Sequence, residues 1–199
     1  MASIIELIFI FIGAFGFNLI PFAGPSNLSI AYISAIGLVT PDAATLLLIG
    51  FLVALGAALA KGIHYMITFF VSGRLSEKRR QRLDADGAKV KRWAFALLFL
   101  AAATPIPDEP VVIPLGLMKY SPVKFFTAYF LGKLSITVAG AFLANVAKIT
   151  FSGWLSTETM VVISIVLTVV ITAILLKVDL GKLSQRILKR KKVKKLEEN

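Results

Sequence analysis

Long apolar stretches alternate with short polar ones along the whole chain. Five apolar blocks stand out, at approximately residues 4–38, 44–71, 93–118, 123–149 and 159–177. Apolar runs of about 18 or more residues are typical of helices that cross a membrane. The mean hydropathy of +0.83 agrees with this interpretation. The pattern therefore predicts an all-α polytopic membrane protein rather than a soluble one.

Prolines interrupt two of these blocks in the middle. One interruption is the sequence PFAGPSN at residues 21–27, and the other is TPIPDEP at residues 104–110. Each proline inside a helix costs about 3 kcal/mol, so an unbroken helix is untenable at the second site. The prolines expected to shape the two breaks are Pro21, Pro25, Pro105, Pro107, Pro110 and Pro114.

The distribution of charge predicts how the blocks cross. The net charge is +11, and Lys and Arg concentrate at residues 74–92 and 177–195. Basic segments beside apolar spans lie on the cytoplasmic side, so one block between them must fail to cross. The arm 93–103 would be only about 17 Å long as a helix, against a hydrocarbon core of about 30 Å. The block at about 93–118 is therefore predicted to be a re-entrant hairpin.

The same logic predicts a first re-entrant hairpin at about residues 4–39, entering from the outside. The alternative is that the segment 4–20 is a true span. Both hairpins are followed by a Gly- and Pro-containing turn and then a long apolar helix, GLVTP at 37–41 and GLMKYSP at 116–122. Two such units of opposite orientation predict an inverted repeat. The competing interpretation is that Gly and Pro punctuate many membrane loops.

The predicted organisation is a membrane domain at residues 1–177 followed by a basic cytoplasmic tail at 178–199. Transmembrane helices are expected at about 44–71, 123–149 and 159–177. The tail is either a surface helix attracted to anionic lipid headgroups, at about 1 kcal/mol per basic residue, or a solvated end. Because topology alone explains the basic segments, no nucleic-acid partner is expected. The N-terminus lacks a basic n-region, so no removable signal peptide is predicted.

The amino-acid composition excludes several kinds of functional site. The chain has no cysteine, which excludes disulfides, thiolate nucleophiles and Cys-based metal sites. The single histidine, His64, argues against a His-cluster metal site. No phosphatase, protease or metal motif is present, so we predict neither catalytic residues nor a cofactor.

Polar side chains accompany both helix breaks. A break inside a bilayer frees backbone N–H and C=O groups, which must be buried in protein or line a wet cavity. The breaks therefore predict a polar cavity near the middle of the membrane. Ser26 and Asn27 supply side-chain hydrogen bonds at the first break, and Thr104, Asp108 and Glu109 supply them at the second.

Asp108 and Glu109 form the most informative ionisable pair. An ionised side chain at the bilayer centre costs about 2.5–3.5 kcal/mol on insertion scales. Adjacent carboxylates repel each other, so one of them is expected to take up a proton. The functional interpretation is a proton carrier or a docking point for a cationic group. The alternative is that the tip bends back to water and both acids are solvated.

Basic side chains in the flanking helices are candidate partners for these acids or for a lipid phosphate. Lys61 and His64 lie one helical turn apart on the same face, and Lys133 lies well inside the 123–149 helix. Snorkelling would also explain Lys61, and simple packing would explain His64. Tyr129 and its neighbouring phenylalanines are most simply interpreted as apolar bulk.

The second break also resembles a known family. The sequences AAATPIPD at 101–108 and LGK at 131–133, with Gly116, Pro122 and the FF pair at 125–126, resemble the second hairpin of DedA/VTT-domain membrane proteins, closest to the vacuole-membrane-protein branch. The first hairpin is a weaker match. The resemblance implies two facing re-entrant hairpins and lipid handling, either phospholipid scrambling or transbilayer movement of a polyprenyl phosphate, sometimes linked to proton gradients.

The chain departs from the resemblance at two places. Many bacterial members carry an arginine just ahead of the hairpin prolines, where this chain has Ala102 and Ala103, and acidic residues where it has Asn18 and Asn27. The sequence therefore favours a scramblase or flippase for membrane phospholipids, without a covalent step. The alternative is a proton-coupled transporter of a polyprenyl phosphate or small solute, and an intramembrane enzyme is third.

Overall fold

The computed structural model describes residues 2–21, 25–38, 41–74, 91–105, 107–151 and 153–177. The helices are α1 (Ile4–Leu19), α2 (Asn27–Ile36), α3 (Ala43–Val71, continued by a short 3₁₀ turn at Ser72–Arg74), α4 (residues 91–102), α5 (Glu109–Leu117), α6 (Pro122–Phe151) and α7 (Thr157–Lys177). The predicted all-helical architecture is confirmed. The predicted tail at 178–199 and residues 75–90 of the basic loop lie outside the described residues.

Polar side chains fix where the first three helices begin. The Ser3 hydroxyl accepts from the Glu6 amide while the Glu6 carboxylate accepts from the Ser3 amide, which is a complete capping box. Ser26 caps α2, and Asp42 caps α3 by accepting from the Thr45 amide at 3.1 Å. Hydrogen bonds from the Thr45 hydroxyl and amide hold the pKa of Asp42 below its usual value. This cap is therefore charged at neutral pH and stabilises α3.

Two long helices form the centre of the molecule. The segments Ala43–Arg74 and Pro122–Phe151 are long and apolar enough to cross a membrane, and they coincide with two of the three predicted spans. They pack against each other closely at Gly50, whose carbonyl accepts from the Thr137 hydroxyl at 2.8 Å. The third predicted span, at about 159–177, coincides with helix α7, and its crossing of the membrane stays a prediction.

The two proline-rich blocks are both broken. Helix α1 ends at Leu19 and α2 begins at Asn27, and six residues separate the end of α4 at residue 102 from the start of α5 at Glu109. Pro110 stands in the first turn of α5, where a missing N–H costs little. Pro114 lies inside α5, which continues through it. Its missing N–H removes the hydrogen bond that would run back to the Pro110 carbonyl in the first turn.

The short helices contact the long ones at glycines. A Cβ atom at any of these positions would fall within 3 Å of the neighbouring helix, so only glycine permits the observed approach. Helix α1 meets α3 at Gly56, α4 meets α6 at Gly132, α2 meets α6 at Gly140, and α5 meets α3 at its own Gly116.

Large apolar side chains cover the outside of the helices. Phe9 is 70% exposed and Ile149 is 72% exposed, and many other Ile, Leu, Val and Phe side chains point outward along α1, α3, α6 and the first half of α7. Such a continuous apolar surface suits lipid rather than water. The buried charged groups of the described residues lie inside, where the second break meets the long helices.

The glycine contacts are testable at Gly132. A Cβ there would lie 2.5 Å from the carbonyl oxygen of Phe99 and 2.8 Å from the Cβ of Ala102. We expect Gly132→Ala to lower the stability of the purified protein in detergent by about 1–3 kcal/mol, the usual cost of overpacking. Thermal unfolding in one detergent would measure the change.

Gly62→Ala is the matched control, because no atom lies within 4 Å of a Cβ built at Gly62. Alanine is the better helix former by about 1 kcal/mol, so this variant should be as stable as the parent or more stable. Equal melting temperatures for the two variants would contradict the close α4–α6 contact.

Candidate functional site

Four ionisable side chains converge at the second helix break. We call Lys61 of α3, Asp108 and Glu109 at the start of α5, and Lys133 of α6 the ion quartet. The Lys61 ammonium lies 2.5 Å from Glu109 Oε1 and 3.4 Å from Asp108 Oδ1, and the Lys133 ammonium lies 2.8 Å from Asp108 Oδ2. Each of the four residues is only 4% exposed. The structure thus brings together four residues from three separate places in the sequence.

The quartet is electrically balanced. Two ammonium groups face two carboxylates, so its formal charges sum to zero. A single buried charge is expensive because it loses its hydration, and the group is tolerated only when it is paired and hydrogen-bonded. The predicted repulsion between Asp108 and Glu109 is offset, because Lys61 contacts both carboxylates. Pairing with the two lysines therefore offsets the cost of burying both acids.

Tyr129 completes the surroundings of Asp108. Its hydroxyl donates to Asp108 Oδ2 at 2.5 Å, and the Lys133 ammonium lies 5.2 Å from the centre of its ring. Its side chain is fully buried. The interpretation of Tyr129 as apolar bulk missed this role. Its spacing of four residues from Lys133, which puts both on one helix face, was the signal available in the sequence.

The first helix break is closed by a neutral pair. The Asn18 amide donates to Asn27 Oδ1 at 2.7 Å and to the Ala14 carbonyl, and the Asn27 amide donates to Asn18 Oδ1 at 3.0 Å. This reciprocal pair joins the last turn of α1 to the first turn of α2. Asn27 was a predicted site residue, whereas Asn18 was noted only as a departure from the family.

A polar cavity lies between the two breaks. It is bounded by the ends of α1 and α2, by the second break and by the facing sides of α3 and α6, with a volume of about 70 Å³. At about 10–15 Å³ per water on this measure, it has room for roughly five waters. Of the predicted cavity residues, those that line it are Ser26, Asn27, Lys61, Thr104, Asp108, Glu109 and Lys133.

The remaining predicted residues divide around this cavity. Pro25, Pro105 and Pro107 line it, and Pro21, Pro110 and Pro114 are not among its lining residues. His64 is not among them either: its Nε2 lies 3.0 Å from the carbonyl oxygen of Leu19, at the end of α1. A spacing of three residues puts His64 about 60° around the helix from Lys61 and about 4.5 Å further along α3, which is enough to take it out of the cavity. The functional roles given to all these residues stay predictions.

The charged side chains of this cavity can release one another and pair with the charged groups of a ligand instead. The lysines offer donors to a phosphate, and the carboxylates offer acceptors to an amine. Within the part of the chain that the structure describes, no group of three or more His, Asp or Glu side chains is arranged to hold a metal ion.

The pairing within the quartet predicts strong energetic coupling between Asp108 and Lys133. Asp108→Asn and Lys133→Met should each lower the free energy of unfolding, by up to about 3–5 kcal/mol, because each breaks the ion pair between them and leaves the buried quartet with an unbalanced charge. The double variant should lose less than the sum of the two, with a coupling of about 0.5–3 kcal/mol. Unfolding of the purified protein in mixed micelles would measure all three changes.

Lys124→Met is the control for the loss of a lysine, because Lys124 is exposed in the first turn of α6. It should change the stability by less than about 0.5 kcal/mol. Strictly additive effects of Asp108→Asn and Lys133→Met would show that the two groups do not interact.

One comparison with known proteins identified a domain family. The sequence model of the VTT domain matches residues 25–146, a range that covers more than half of the chain and includes the whole ion quartet. No curated protein and no solved structure shows significant similarity to the chain. Given the extent of the domain match and its coincidence with both long helices, the chain belongs to the VTT-domain (DedA) family of membrane proteins.

Proposed function

We propose that this protein moves phospholipids across the bilayer without a covalent chemical step. Headgroups would pass through the polar cavity while their acyl chains stay in the surrounding lipid. The observation that carries this proposal is the ion quartet, a set of buried charges at a helix break inside an otherwise apolar molecule. Ionisable groups at such depth are costly and are retained mainly for function.

We further infer that α1–α2 and α4–α5 are re-entrant hairpins related as an inverted repeat. The pattern of contacts supports this. The first arm of each hairpin packs on the long helix that follows it, α1 on α3 and α4 on α6, and the second arm packs on the other long helix, α2 on α6 and α5 on α3. A pseudo-twofold axis in the membrane plane would relate the two hairpins in this way, with each second arm packed on the long helix of the other unit.

The lengths of the second arms support the same inference. Helix α2 has 10 residues and α5 has 9, so at 1.5 Å per residue each is about 14–15 Å long. The hydrocarbon core is about 30 Å thick, so neither arm could cross it. With the basic segments on the cytoplasmic side, α4 and α5 would enter and leave on that side. Assignment to the vacuole-membrane-protein branch stays a prediction.

Lipid movement requires the cavity to open. At about 70 Å³ it holds waters but no phospholipid headgroup. The proposed route therefore needs the second arms to move relative to α3 and α6, which would expose the quartet to an entering headgroup. Helix α5 is joined to α3 and α6 at its N-terminal end by the quartet, whose partners can be exchanged for those of a headgroup.

The second candidate is a proton-coupled transporter of a polyprenyl phosphate or small solute. Two buried carboxylates in one cavity favour it, because protons are commonly carried by such groups in transporters. The lysine beside each carboxylate weighs against it, because the four charges of the quartet already balance one another.

Reconstituted liposomes that contain a fluorescent phospholipid would test the proposal. Dithionite quenches only the fluorescent lipid in the outer leaflet unless lipid from the inner leaflet crosses the bilayer. The wild-type protein should therefore give nearly complete quenching without ATP or a pH gradient. Asp108→Asn combined with Glu109→Gln should slow lipid movement by about tenfold or more, which corresponds to a rise of about 1.4 kcal/mol in the free-energy barrier to crossing. Glu158→Gln, at an exposed position in the first turn of α7, is the matched control.

A second variant tests the cavity without changing the buried charges, so that misfolding of the first variant cannot explain the result. Thr104→Leu leaves the quartet intact but fills part of the cavity that Thr104 lines, and it should also slow lipid movement. Wild-type rates in both variants would assign the quartet to structure alone. Gradient-driven solute uptake without lipid exchange would establish the second candidate instead.

A further inference from the structure

The cavity between the breaks carries no net charge. Its ionised lining residues are the four of the quartet, and its remaining described polar side chains are neutral ones at Asn18, Ser26, Asn27 and Thr104. This contrasts with the chain as a whole, whose formal net charge is +11. A site built for a lone phosphate would hold an excess of cations over anions, and this one does not.

Positive and negative groups alternate along the quartet. The contacts run from Lys133 to Asp108 at 2.8 Å, from Asp108 to Lys61 at 3.4 Å and from Lys61 to Glu109 at 2.5 Å. A ligand that carries one phosphate and one ammonium can enter such a row by exchange. Its phosphate takes the place of a carboxylate beside a lysine, and its ammonium takes the place of a lysine beside a carboxylate.

This exchange conserves both the number of ion pairs and the net charge. A headgroup with a phosphate but no ammonium would instead leave one negative charge uncompensated. Inside a bilayer, where the surroundings screen poorly, an uncompensated charge raises the free energy steeply. The same argument disfavours a headgroup of net positive charge.

We propose that this cavity accepts zwitterionic phospholipid headgroups, those with one phosphate and one ammonium group, in preference to headgroups of net negative charge. The inference rests on the proposed function, because it names the lipid class that the same cavity would move. It follows from the balance and alternation of charges in the quartet.

The test compares two lipids in the same liposomes. Tracer amounts of phosphatidylcholine and of phosphatidylglycerol, each labelled on an acyl chain so that the headgroup is unmodified, would be followed separately in identical background lipid. For the wild-type protein we expect phosphatidylcholine to cross about tenfold faster or more, because the anionic headgroup carries an uncompensated charge through the bilayer. Added salt would remove the attraction of the basic protein surface for the anionic lipid.

Variants that change the charge of the quartet should change this rate ratio in opposite directions. Glu109→Gln gives the quartet a net charge of about +1 and should shift the ratio toward phosphatidylglycerol. Lys133→Gln gives it a net charge of about −1 and should shift the ratio further toward phosphatidylcholine. Because both rates come from one preparation, the ratio is independent of the fraction of folded protein.

Two exposed positions provide matched controls outside the cavity. Glu158→Gln and Lys124→Gln make the same changes in total charge at residues on the protein surface, and both should leave the ratio unchanged. Equal wild-type rates for the two lipids, a faster anionic lipid, or a ratio that does not respond to the quartet variants would overturn the inference and leave lipid movement standing. Absence of movement for both lipids would overturn the proposed function as well.

Discussion

Burial of the ion quartet is the constraint on which the rest of the structure depends. The break between α4 and α5 leaves the N-terminal end of α5 beside the small polar cavity. Asp108 and Glu109 stand at that end, where negative charge is favoured by the helix dipole. Their own burial then requires cations, which Lys61 and Lys133 supply from the two long helices. The break, the acids and the lysines therefore depend on one another.

Close packing makes this arrangement possible. Glycines let α4 and α5 approach the long helices until backbone nearly touches backbone, and Gly50 does the same between α3 and α6. The lysine side chains then reach α5 from both sides. The first break needs no charge because the Asn18 and Asn27 side chains satisfy each other. The two ends of the cavity thus differ in chemistry: the quartet is charged and balanced, and the amide pair is neutral.

Much of this could be predicted from the sequence, because hydrophobic runs and prolines report on local structure. The predicted spans at 44–71 and 123–149 fall within about a residue or two of α3 and α6, and both helix breaks fall where the prolines indicated. A proline does not always mark the end of a helix, because α5 continues through Pro114.

Pairing across helices could not be predicted in the same way. The predicted depth of Lys133, Asp108 and Glu109 within apolar blocks marked them as candidate site residues. Which atoms of these residues meet depends on how each helix is rotated about its axis. That rotation gives Tyr129 a hydrogen bond to Asp108 and pairs Asn18 with Asn27, and it puts His64 beside the end of α1 rather than at the cavity. Each of these contacts joins two different helices or a helix and a break, so the pattern within one helix does not specify the partner.

The central claim is that the second break turns back inside the bilayer. The chain has no cysteine, so each introduced cysteine carries a unique label. Arg92→Cys lies before the break, Lys124→Cys lies after it, and Trp154→Cys lies beyond the following long helix at a residue that is 91% exposed. With an impermeant thiol reagent on oriented vesicles, we predict that positions 92 and 124 react from one side and position 154 from the other. Reaction of positions 92 and 124 from opposite sides would contradict the re-entrant hairpin.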